Sequence, residues 1–139
     1  MAIEKVIYTA RAKATGGRVG TARSDDGQID LKLDRPVEMG GKGNGTNPEQ
    51  LFAVGYAACF IGALRVVAGK RHIRIPEDVA IDSAVSFGPL EGEAEGFGIA
   101  VARRSTCPVS KEPLRKNWCI KLTRYARTQT QPAATSTCY

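Results

Sequence analysis

The chain has 139 residues, one domain's worth, and its 42% hydrophobic and 24% charged residues are globular values that exclude a disordered chain. The start, MAIEKVIYTA, has no apolar core of the kind a signal peptide needs, and the nearly uncharged run Leu51 to Leu64 is too short to span a bilayer and is closed by Arg65. The net charge of +6 is uneven: residues 103–139 hold eight Lys and Arg against one acid, while residues 1–102 are nearly neutral.

These features predict a soluble, cytoplasmic protein. In that compartment four cysteines are expected to be free or redox-active rather than structural staples. One histidine, His72, and no CxxC pair argue against a zinc site.

In chain order, EKVIYTARAKA (4–14) alternates as a strand, TGGR is a turn, and Arg18 to Ala22 begins a second strand. SDDG (24–27) is a hairpin signal, and IDLKLD (29–34) places Ile29, Leu31 and Leu33 on one face. Together they predict an antiparallel N-terminal meander. Pro36 and GGKGNGTNP then interrupt regular structure.

A long helix follows. Asn47 suits the N-cap, Pro48 the first turn, and Glu49 the positive end of the dipole; the helix is predicted to run to about Gly69. Being apolar on nearly all sides, it reads as central and packed on both faces, with Gly55, Ala57, Ala58, Gly62 and Ala63 forming a thin part. RHIRIPEDV is read as a loop with His72 solvated. VAIDSAVSF (79–87) and GFGIAVA (96–102) read as strands joined by the acidic, glycine-rich GPLEGEAEG. Strands, central helix, strands make an α+β domain.

Cys59 lies within the apolar helix. A free cysteine there is usually a small hydrophobe, and a thiolate needs a nearby cation. Arg65, six residues on, is about 600° around the helix, on the other side, so the cation must come from elsewhere. Glu49 on its own is explained by the helix dipole, and Arg18 by a solvated turn. Glu49 precedes Cys59 by ten residues, about 15 Å along a straight helix. The two can share a site only if the helix breaks or if Glu49 comes from a second subunit. GGKGNG lacks the Lys-Ser/Thr of a phosphate loop and does not fit GxGxxG, so its glycines are expected to form a flexible lead into the helix.

EKVIYTARAKATGGR, NPEQLFAVGYAACFIGAL and GFGIAV, taken in this order and spacing, resemble the organic hydroperoxide resistance (Ohr) branch of the OsmC/Ohr family. The resemblance covers residues 4–102, with NPEQLFAVGYAACF as its most specific part. It implies an antiparallel sheet around a long central helix, in an intertwined homodimer with active sites at the subunit interface. It also implies that Cys59 is the peroxidatic cysteine, that Arg18 stabilises its thiolate, and that Glu49 holds Arg18. The implied activity is reduction of alkyl or fatty-acid hydroperoxides to alcohols, without a bound cofactor or metal. A dithiol or a lipoylated protein would serve as reductant.

The family's second cysteine, in the motif VCPYSNATRGNI, is missing. Residues 103–139 instead form an atypical basic tail. Back-translated within codon degeneracy and read from the third base, YARTQTQPAATSTC yields CPYSNATRGNIDV. The same shift turns EPLRKNWCIKLTR into roughly GAAAQELVHQAHQV, an amphipathic helix, and RRSTCPV into roughly AIDLSG. Residues 1–102 are therefore read as the family domain and 103–139 as out of frame. On this reading Cys107, Cys119 and Cys138 are accidents of frame; otherwise one of them resolves Cys59. The rival to a peroxidase is a non-catalytic protein whose basic tail grips nucleic acid. The expectation is a peroxidase with neither nucleic acid nor membrane as partner.

Overall fold

The N-terminal segment settles into sheet only from Ala12. In the computed structural model, which describes residues 4–90 and 96–106, β1 (Ala12–Thr15), β2 (Gly20–Ser24) and β3 (Asp30–Leu33) form an antiparallel meander in the order β1-β2-β3. The centre of the acidic connection and the tail from residue 107, with Cys107, Cys119 and Cys138, lie outside the described residues.

The meander confirms the expected topology but shortens its first strand. Residues 4–11 are not strand, and Val6, Ile7 and Tyr8 are all exposed. Alternation alone does not make a strand; the backbone needs a neighbour to receive its hydrogen bonds. The predicted SDDG turn is present: Gly27 N donates to Ser24 O, and the Asp26 carboxylate accepts from Ser24 Oγ at 2.5 Å and from Gln28 N at 3.1 Å.

Helix α1 (Pro48–Lys70) starts and ends with specific caps. At its start Gln50 N donates to Asn47 Oδ1 at 2.9 Å and Asn47 N donates to Gln50 Oε1 at 3.2 Å, a reciprocal box that satisfies two backbone donors. At its end Ile73 N donates to Ala68 O and His72 N to Gly69 O, the paired bonds of a Schellman motif. His72 takes the left-handed position there, with φ of 55°, so it is a cap as well as an exposed loop residue.

The chain divides into two compact units, Met1–Leu51 and Phe52–Tyr139. Leu33 is the buried apolar residue of the first unit, 3% exposed. The second is built on a stripe of α1, with Phe60, Leu64, Val67 and Ala68 buried together with Val79 and flanked by Ile61, Ile73, Ile75 and Ile81. Strands β4 (Ala80–Pro89) and β5 (Phe97–Thr106) form an antiparallel ribbon in which Ser83 pairs with Arg103 and Phe87 with Ile99.

One expectation about α1 changes, while its predicted extent holds. Its apolar circumference predicts packing on both faces, but among the described residues only one stripe is buried, and Phe52, Val54 and Val66 are exposed. The helix is also longer than the uncharged run within it, and at 23 residues it has the length and apolar composition to cross a membrane. Its buried stripe is instead the core of the second unit.

Candidate active site

The first unit brings two of the three expected site residues together. Arg18 stands on the turn between β1 and β2, where Gly16 and Gly17 both have positive φ and Val19 N closes back on Gly16 O. Glu49 stands in the first turn of α1. The Arg18 guanidinium grips the Glu49 carboxylate with both arms, Nη1 to Oε2 at 2.8 Å and Nη2 to Oε1 at 2.6 Å. This fork-on-fork geometry fixes the plane of the guanidinium as well as its position. The side chains are 28% and 16% exposed, so the pair is partly shielded from water.

Each partner moves the other's titration. The hydrogen bonds from Arg18 hold the Glu49 carboxyl below the ordinary carboxylate range, against the opposing effect of burial. The same bonds raise Arg18 above its ordinary value. The result is a fixed cation whose charge is not in question at any working pH.

The loop from Asp34 to Thr46 joins β3 to α1 and is not the flexible lead expected from its glycines. Asp34 is only 8% exposed, and its carboxylate accepts from Arg35 N and from Asn44 N, each at 2.9 Å. Gly41 N donates to Pro36 O, Gly43 N to Arg35 O, and Thr46 N to Lys32 O. A Cβ at Gly45 would lie 2.7 Å from Lys32 O, and one at Gly41 2.0 Å from Arg35 O, so these two glycines permit close backbone approach.

Cys59 is a free, exposed cysteine on α1. The helix is continuous from Pro48 to Lys70, so it does not break between Glu49 and Cys59. Ten residues separate them, about 15 Å of helix.

Sequence reasoning did not single out Asp34, Tyr56 or Arg103. Arg103 donates from Nη1 to the Tyr56 hydroxyl, and its guanidinium lies 4.5 Å from the centroid of Phe60 and 5.3 Å from that of Tyr56. Its buried Nε and the buried Ser83 Oγ have no hydrogen-bond partner. The signal available for Asp34 was an acid directly before Arg-Pro and a glycine-rich loop; nothing local marks Tyr56 or Arg103.

The family model described as OsmC-like protein matches residues 41–112 of this chain. The organic hydroperoxide resistance protein of Xanthomonas axonopodis pv. citri is 56% identical over 106 residues, 76% of this chain and 72% of its own. The chain belongs to the OsmC/Ohr family. Within it, the organic hydroperoxide resistance protein OhrB of Bacillus subtilis is 46% identical over 95 residues, 68% of each chain. The crystal structure of that protein superposes with a TM-score of 0.74, at 37% identity, over 89% of this chain and 87% of its own. The long helix and antiparallel strands described above are thus an OsmC/Ohr fold, and the relatives support a role in organic hydroperoxide resistance.

Proposed function

We propose that the chain is a thiol peroxidase that reduces organic hydroperoxides to alcohols in the cytoplasm, with Cys59 as the reacting thiol. The observation that carries this reading is the bidentate Arg18–Glu49 pair, a shielded and oriented cation in a chain whose relatives are named for hydroperoxide resistance. The Cys59 thiolate attacks the terminal oxygen of ROOH. The O–O bond breaks, the alkoxide takes a proton and leaves as ROH, and Cys59 becomes a sulfenic acid. Arg18 stabilises the thiolate and the negative charge on the departing oxygen. An external dithiol, free or lipoyl-borne, then attacks the sulfenic sulfur and releases water. Its second thiol displaces Cys59, giving a cyclic disulfide and the starting thiol. No bound cofactor takes part.

A homodimer completes the site. On this reading the pair of one protomer serves the cysteine of its partner, because ten residues of helix, about 15 Å, are too many for Glu49 and Cys59 of one chain to serve one centre. Cys59→Ser is expected to abolish consumption of tert-butyl hydroperoxide in the presence of dithiothreitol while leaving the far-UV circular dichroism unchanged. Undiminished turnover would overturn the peroxidase reading in favour of a binding protein.

The alternative is that the chain as written is an impaired, frameshifted form, and Arg103 favours it. A guanidinium with an unpartnered Nε against Phe60 stands where the register of β5 calls for an apolar residue, at the first position of the shifted segment. Mass mapping of protein made from the native gene separates the cases. Peptides ending TQTQPAATSTCY establish the written tail and predict weak turnover; peptides containing CPYSNA restore the second cysteine and predict full turnover.

A further inference from the structure

We infer that Asp34 is a positioning residue for the Arg18–Glu49 pair, acting through a three-way backbone junction at Leu33. Leu33 pairs on one side with Gly20, at the start of the strand that follows the Arg18 turn. On its other side it forms a parallel bridge with Thr46, one residue before the N-cap of α1. The two elements that carry the pair therefore meet on a single residue of β3. Whatever fixes the backbone around Leu33 fixes both the guanidinium and the carboxylate.

Asp34 fixes it from the next position. Its own N–H donates to Thr46 O at 3.1 Å, and Thr46 N returns a bond to Lys32 O at 2.9 Å. Its carboxylate draws in the two ends of the intervening loop by accepting from Arg35 N and Asn44 N. A charged acceptor that takes a bond from each end of the loop, on the buried Asp34 side chain, holds the two ends together. Lys32 and Lys42 lie near enough to favour the ionised form, and the carboxyl is held below its ordinary range, chiefly by the bond from Asn44 N. Thr46 is thereby seated against β3, Asn47 delivered to its capping box, and Glu49 aimed at Arg18.

The role of the pair in peroxide reduction rests on the reading above, so the test does not use activity. In the full chain the titration of the Glu49 side-chain carboxyl is followed by its carbon-13 shift, assigned by its disappearance in Glu49→Gln. In Asp34→Ala the Glu49 midpoint is expected to rise towards the ordinary carboxylate range, with the amide spectrum of the β1–β3 meander retained. Asp34→Asn keeps the volume and one acceptor, is expected to give a smaller rise, and decides the question if the alanine variant fails to fold. Ser24→Ala, which removes the Ser24–Asp26 bond at the far end of β2, is expected to leave the midpoint where it was. An unchanged midpoint in a folded Asp34 variant, or an equal rise in Ser24→Ala, would overturn the inference. Failure of the Cys59 experiment would sink the peroxidase reading and leave this one standing.

Discussion

Glu49 binds Arg18 only as a carboxylate, which gives the pair a definite pH dependence. Its carboxyl is depressed in the folded state, so the stabilisation is present in full above the unfolded carboxyl value and is lost as pH falls through the lower, folded one. Glu49→Gln removes the charge at every pH. Because the pair is partly shielded, the variant is expected to be roughly 1 kcal/mol less stable than the wild type at neutral pH, and this gap is expected to narrow at acid pH as the wild type loses the pair. Urea denaturation of both proteins at the two pH values checks this; a constant gap between them would refute it. The pair also marks what a sequence can disclose. Its members are 31 residues apart, and no local pattern joins them. They are joined by closure of β2 and residue 46 on Leu33, a tertiary event, so only likeness to a family could place them together in advance.

At the scale of elements, α1 was legible at its start because each signal acts locally. Asn47 accepts from Gln50 N, Pro48 needs no donor, and Glu49 meets the positive end of the dipole. Its end was less legible. The charged neighbours of His72 suggest a solvated loop, which describes its exposure but not its backbone. The Schellman bonds to Ala68 O and Gly69 O require a left-handed residue at position 72, and histidine meets that requirement at a steric cost. His72→Gly is therefore expected to raise stability by about 0.5–1 kcal/mol, the relief being partly offset by the greater freedom of glycine in the unfolded chain. Thermal unfolding would show it as a higher midpoint, and a lower midpoint would mean that the imidazole makes a contact worth more than the strain. The opposite error occurred at residues 4–11. Alternation suggested a strand, but strand formation depends on a partner's backbone, which a local pattern cannot supply.

On the scale of the whole molecule, the apolar character of α1 and the exposure of much of its surface have to be reconciled. Phe60, Leu64, Val67 and Ala68 account for one stripe, yet Phe52, Val54 and Val66 remain 40%, 71% and 61% exposed, and on β5 Phe97, Ile99 and Val101 are exposed as well. Isolated apolar residues on a surface need no explanation, but a helix that is apolar around most of its circumference is ordinarily enclosed. A second copy enclosing α1 would satisfy this and would also bring an Arg18–Glu49 pair to a cysteine that its own helix keeps about 15 Å away. Val54 discriminates because it is largely exposed within one chain, so a charge there leaves the fold of the protomer undisturbed while facing desolvation at an interface. If the chain dimerises through this side of α1, sedimentation velocity should give a dimer for the unmodified protein and a monomer of unchanged circular dichroism for Val54→Glu. On the proposed mechanism peroxide turnover should fall at least tenfold with it, because Cys59 would then lack the partner's cation. A variant that remains dimeric, or a monomer that retains full turnover, would show that the site closes within a single chain and that the exposed side of α1 serves another purpose.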